Sequence, residues 1–246
     1  MSGPADPARA PGRVTPSVGL GVVHLFCRLS EGWRGEAVVE AVRRAADRGT
    51  QVVAVAILGH KADLAFMALD EDLWNLRLAQ RDLVAAGLVA AASYVSLTEV
   101  SEYAAGVPEE LKQRRLYPQL PPAGKPAWCF YPMSKRRGSE HNWFTLPLEE
   151  RRELMYEHGA SGRNFSGRVL QVVTGSAGVD DFEWGVTLFA ARPDDLKDVV
   201  YTLRYDRASA VYAEFGPFYT GMVTPVEELV ALLDPRAAAR ALEEAP

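Results

Sequence analysis

Along the 246-residue chain the spacing of apolar positions changes period in a regular order. Residues 18–29 (VGLGVVHLFCRL) and 51–58 (QVVAVAIL) are apolar runs of strand length. Between them, residues 35–48 place apolar side chains three and four apart, as a helix with one buried face requires. Gly59 ends the second run. Residues 63–69 (DLAFMAL) alternate as a strand, Asp72 starts a helix running to about Ala86, and residues 88–97 close the series as a further strand. The order βαββαβ is that of a ferredoxin-like unit, an antiparallel sheet with both helices on one face and the other face free to pack elsewhere.

Residues 99–126 are less regular, and LYPQLPPAGKP within them has the Pro and Gly density of a linker. The order then recurs: strand at 128–133, helix at 148–158, strands at 168–174 and 182–190, helix at 193–203, strand at 211–219. No literal repeat accompanies it, so the duplication rests on element order. The expected fold is α+β, two fused ferredoxin-like halves joining into a barrel-like core. The expected division is a disordered leader (1–16, rich in Pro, Ala and Gly), a first half (17–98), a connector (99–126), a second half (127–221) and a tail (222–246) with a helix over 229–244.

Composition narrows the function classes. With 48% hydrophobic residues the chain can bury a large core, and a net charge of −5 with pI near 5.5 argues against a nucleic-acid surface as its main purpose. No apolar run approaches the roughly 20 residues of a membrane-spanning helix, and no basic-then-apolar secretory pattern opens the chain, so a cytoplasmic protein is expected. The two cysteines, Cys27 and Cys129, lie in apolar strand-like runs without zinc-ligand spacing, and read as buried free thiols. Walker A, HExxH and GxSxG patterns are absent.

Candidate chemistry concentrates in residues 129–190. Thr145 and Pro147 suit a helix start, Glu149 and Glu150 complement its N-terminal dipole, and Gly159 reads as its stop. Leu148, Leu154, Met155 and His158 share one face, so His158 extends an apolar stripe. Such a residue is either a hydrogen-bonded histidine closing a core-facing helix or a ligand. Tyr131 lies on the run WCFYPM, a strand that could aim a phenol into a cavity, before the basic cluster Lys135, Arg136 and Arg137. His24, His60 and His141 read as structural or exposed. One histidine on an apolar face, a nearby tyrosine, Trp143, Trp184 and a basic rim fit a haem-type cavity, and equally an ordinary core.

YPMSKRR, the Asn142–Trp143 pair, the helix of LPLEER ending in EHG, QVVTGS, DDFEWGVTLFA and AEFGPFYTG together resemble the chlorite dismutase-like haem family, and most of all its coproheme decarboxylase branch. GHKADL and SYVSLTEVSEY extend the resemblance into the first half, so that it spans residues 18–221. It implies fused ferredoxin-like halves, a haem site in the second half and a homopentameric ring. It also implies peroxide-dependent conversion of iron-coproporphyrin III (coproheme) to haem b by oxidative decarboxylation of two propionates. By motif, His158 resembles the iron ligand and Tyr131 the redox-active phenol. Arg115, Lys135 and Ser209 match propionate-binding positions, Lys135 sharing the catalytic role with Tyr131. Gln171 matches the distal position where chlorite-degrading members carry Arg, Met133 lines the pocket, and Trp143 and Trp184 match aromatics around it. Phe144 stands where decarboxylases of this branch carry Tyr. Two other activities fit the same resemblance: an oxidase that keeps coproheme as cofactor and oxidises another small molecule, and a non-enzymatic haem carrier.

Overall fold

The computed structural model describes residues 12–104 and 106–234. The first half follows the expected order, β1 (Gly21–Leu29), α1 (Gly35–Asp47), β2 (Gln51–Ile57), β3 (Leu64–Asp70), α2 (Leu73–Ala85) and β4 (Leu88–Thr98). Asp72 caps α2 by accepting the backbone N–H of Trp74. The connector contains α3 (Glu109–Leu116), a helix with no apolar stripe that hydrophobic periodicity does not reveal. It has acidic residues in its first turn, basic ones in its last, and an Arg114–Glu110 pair one turn apart.

The second half comprises β5 (Ala127–Lys135), a single 3₁₀ turn (Trp143–Thr145), α4 (Leu148–Arg163), β6 (Val169–Gly175), β7 (Trp184–Ala190), α5 (Pro193–Leu203), α6 (Arg207–Ala210), β8 (Ala213–Phe215) and β9 (Tyr219–Val223), before α7 (Val226–Leu233). Each half has its own sheet, β4-β1-β3-β2 and β6-β7-β5-β9, and every neighbouring pair is antiparallel. Short seams between β2 and β9 and between β4 and β6 close the two sheets into an eight-stranded barrel, with β8 added along β5. Closure removes the sheet edges that two open sheets would expose.

Alternate residues of each strand fill the barrel, among them Val22, Phe26, Val55, Met67, Tyr94, Trp128, Phe130, Phe189 and Tyr219. The opposite faces pack under helices. Leu25, Cys27, Leu64 and Phe66 meet α1, α2 and α7, while Cys129, Tyr131, Val186 and Leu188 meet α5 through Leu196, Val199 and Leu203. Both cysteines are buried free thiols.

All of β3, Leu64–Asp70, is buried, because one face lines the barrel and the other lies under helices. Two local expectations are corrected. Gly159 does not stop α4. Neither it nor Gly162 takes a positive φ, the helix continues to Arg163, and the left-handed glycine is Gly167. Leu148 on this helix is exposed, while Leu154 is buried. The strand expected at 211–219 is two strands, β8 and β9, separated by Gly216, Pro217 and Phe218 and preceded by α6. Both pair with β5, on either side of Tyr131–Pro132, and the Gly216 N–H donates to the Pro132 carbonyl at 2.8 Å.

Of the expected leader, residues 12–16 run without regular structure, and the Val14 N–H donates to Asp72. Residues 1–11, and the expected tail helix beyond Asp234, lie outside the described residues.

Candidate functional site on the outer face of the second half

Trp128 and Phe130 fill the barrel, so the period-two geometry of β5 sends Cys129, Tyr131 and Met133 to the outer face. Register places Gln171, Leu188 and Cys129 in one row across β6, β7 and β5, then Val173, Val186 and Tyr131, then Gly175, Trp184 and Met133. In the first half the equivalent face is sealed by α1, α2 and α7. Here α5 covers the β5–β7 side, whereas α4 packs mainly on α5 and α6. Gln171 is exposed and Val173 is 40% exposed, although Val172 and Thr174 between and beside them are buried in the barrel. The duplicated fold is therefore asymmetric, with one outer face filled and the other partly open at Gln171 and Val173.

α6 ties this region together. Asp206 is its N-cap and accepts the backbone N–H of Ser209 at 2.9 Å. The same carboxylate pairs with His158 Nδ1 at 3.0 Å, and the Ser209 hydroxyl lies 3.3 Å from Asp206 Oδ2 and 3.4 Å from His158 Nδ1. Burial of Asp206 acts to raise its pKa, but the hydrogen bonds from His158 and Ser209 outweigh it and hold the carboxyl below its ordinary range. Next along the chain, Arg207 braces α6 against α4 through the Glu157 carboxylate, at 3.0 Å from its backbone N–H and 2.8 Å from Nε. His158 makes no hydrogen bond through Nε2 among the described residues, and its side chain is 28% exposed. An imidazole whose Nδ1 is held by a carboxylate, with a free and accessible Nε2, has the arrangement of a metal-ligating histidine with an orienting partner.

Tyr131 is 4% exposed, stacked on Phe218 with centroids 4.5 Å apart and tilted against Phe215 at 5.6 Å. The break between β8 and β9 places those two rings. Burial pushes the phenol's pKa well above its ordinary value, with Cys129 adding to the rise and Arg204 opposing it, so the hydroxyl keeps its proton. Lys135 is buried at the end of β5. Its Nζ donates to the Ala208 carbonyl at 2.7 Å and sits over the Trp143 ring at 4.3 Å. Burial lowers its pKa to about 8, opposed by Asp206 and Glu183.

The fold thus joins His158 and Ser209 through Asp206, and sets Lys135 against both α6 and the Trp143 ring. Tyr131, Met133, Gln171 and Trp184 share the adjacent sheet face. Trp184 is partly buried and donates its indole N–H to Glu99 at 3.0 Å. Arg115 is not drawn into this group. It is exposed at the end of α3, and its side chain makes no hydrogen bond or ion pair among the described residues.

Asp206 and Tyr103 escaped the sequence reading. Tyr103 packs edge-on to Trp143 with centroids 6.4 Å apart and accepts from Arg151 at 3.3 Å. The Asp-x-x-Ser spacing before α6 was the available signal for Asp206, because it marks a helix cap. Of the other histidines, His60 and His141 are exposed, and His24 is buried inside the barrel.

The chlorite dismutase family profile matches residues 34–224. The chain belongs to the chlorite dismutase family. Within it, a coproheme decarboxylase of Staphylococcus carnosus is 45% identical over 183 residues, covering 70% of this chain and 73% of that protein. A Natronomonas pharaonis protein named as heme-binding is also 45% identical, over 204 residues covering 76% of this chain, but the match spans only 33% of that longer protein. A solved structure described as a novel heme-binding protein from Thermus thermophilus superposes with a TM-score of 0.79 at 35% identity, covering 92% of this chain and 99% of that one. A mutant chlorite dismutase of Candidatus Nitrospira defluvii shares the fold at 21% identity and TM-score 0.71, covering 88% and 96%. The two fused ferredoxin-like halves are the fold of this family.

Proposed function

We propose that the protein binds an iron porphyrin between α4 and the outer face of β5, β7 and β6, and that it is a coproheme decarboxylase converting iron-coproporphyrin III to haem b with hydrogen peroxide. The observation carrying this reading is His158, its Nδ1 held by buried Asp206 and its Nε2 without a hydrogen-bond partner among the described residues. The names of the Staphylococcus and Thermus relatives support it.

His158 would ligate the iron through Nε2, and Asp206 would fix the imidazole tautomer and keep it electron-rich. Bound iron porphyrin supplies the oxidising chemistry with peroxide. Each of the two reacting propionates loses its carboxyl as carbon dioxide and becomes a vinyl group on the ring, giving up two electrons that reduce one peroxide to two waters with uptake of one proton. Tyr131, kept protonated by burial, has a hydrogen atom to lose and to regain from a propionate side chain. Lys135 and Ser209 offer a cation and a hydroxyl to the propionates, and Arg115 a second cation from α3. Met133, Trp143 and Trp184 would line the macrocycle, with Gln171 on its distal side, as a neutral amide in place of arginine. A cytoplasmic homopentamer belongs to the same reading; a monomer by light scattering at micromolar concentration would count against that assembly.

The test is peroxide titration of the coproheme-loaded protein with the porphyrin followed by mass. Loss of two carboxyl groups is expected, and Tyr131→Phe should bind coproheme yet release no carbon dioxide. Intact coproheme after many equivalents would instead mean a retained cofactor. Equal or tighter binding of haem b than of coproheme would favour a carrier.

A further inference from the structure

Glu99 belongs to the first half, one residue beyond β4, yet its only hydrogen-bond partner among the described residues is the Trp184 indole N–H on β7, at 3.0 Å. The contact crosses the β4–β6 seam, where Leu97 pairs with Gly175 and Gly175 pairs in turn with Trp184. Gly175 makes room for it. A Cβ at that position would land on the Glu99 carboxylate. Gly175 does not have a positive φ, so the constraint there is space rather than backbone conformation. No cation pairs with Glu99 among the described residues, so the indole is what holds this carboxylate at the seam. Trp184 sits at the first residue of β7 and is only partly buried, and the bond to Glu99 is the one hydrogen bond of its indole among the described residues.

We infer that Glu99 is a positioning residue for Trp184: its carboxylate, seated over Gly175, fixes the indole as a wall of the candidate site beside Met133, so that the first half sets the shape of a site carried by the second. The assignment of Trp184 to the porphyrin site rests on the function proposed above; the Glu99–Gly175–Trp184 arrangement does not. A neutral acceptor of the same shape can also hold the indole N–H, whereas removing the acceptor, or filling the gap at Gly175, releases it.

The test uses the full chain in two stages. In the ligand-free protein, the Trp184 indole N–H signal is identified in a ¹⁵N–¹H spectrum by its loss in Trp184→Phe, and its solvent exchange is measured. Glu99→Ala and Gly175→Ala should each shift that signal and speed its exchange about tenfold or more, while Glu99→Gln restores slow exchange. An unchanged signal and exchange rate in both Glu99→Ala and Gly175→Ala would overturn the inference. So would a Glu99→Gln protein as fast as Glu99→Ala. In the coproheme-loaded protein, Glu99→Ala should slow peroxide-dependent decarboxylation by on the order of ten- to a hundredfold, the cost of a displaced pocket wall, again with rescue by Glu99→Gln. If the parent protein converts no coproheme, the function proposed above fails and the first stage still decides the role of Glu99. If the parent converts it and Glu99→Ala matches its rate, the positioning claim fails alone.

Discussion

His24 makes acid stability a direct test of the barrel interior. It is 1% exposed, stacked on Phe130 at 4.1 Å, and bonded through Nε2 to the Thr187 hydroxyl at 2.9 Å. Its Nδ1 has no partner among the described residues, and neither do Ser96 Oγ and Trp128 Nε1, two other buried polar atoms in this part of the fold. An imidazolium there would need two acceptors and a counter-charge, and burial accordingly lowers the pKa from 6.5 to about 3. Below pH 6.5 the unfolded chain takes up a proton that the folded chain refuses until about pH 3, so stability falls as pH falls between those values. At about 1.4 kcal/mol per pH unit once well below 6.5, moving from pH 7 to pH 5 removes about 2 kcal/mol through this one residue. Acidification also weakens Asp206 and Asp82, whose carboxyls are held low in the folded state. The measurement is therefore a difference. Urea unfolding of the parent and of His24→Gln at pH 7 and pH 5 should show the parent losing about 2 kcal/mol more than the variant. Parallel losses would mean that His24 takes up its proton in the folded protein at ordinary pH, and the argument from its burial would be wrong.

Asp206→Ala should lower affinity for ferric porphyrin about 10- to 100-fold through loss of the His158 partner, and remove about 1 kcal/mol of capping, read by absorbance titration and by unfolding. Lys135 loses its proton near pH 8 in the folded protein, so if it holds a propionate, affinity for a carboxylate-rich porphyrin should fall as pH rises through about 8 to 9. In Lys135→Arg that decline should disappear, because a guanidinium stays charged. Cys27 and Cys129 are buried, and burial raises their pKa values to about 12 and about 11. At pH 8 neither should react with a thiol reagent until denaturant is added, and a thiol titrating in the native protein would contradict the burial.

The alternating and helical periods in the chain determined the two βαββαβ halves, because those periods record which face of each element is buried. They also placed Tyr131 on a strand and His158 on a helix. The stops were less legible. Gly159 stays helical because α4 is held by α5 and α6, and α3 carries no apolar stripe to reveal it. Only the tertiary structure decided that the two sheets close through the β2–β9 and β4–β6 seams, since pairing between strands so far apart in sequence depends on shape rather than local pattern. The same holds at the candidate site. That α4 leaves Gln171 and Val173 open, that buried Asp206 holds His158, and that Glu99 reaches Trp184 across a seam are contacts between residues 48 or more apart, or between whole layers, and no local period encodes them. The sequence could supply the imidazole and the phenol. Packing decided which nitrogen stays free and which face stays open.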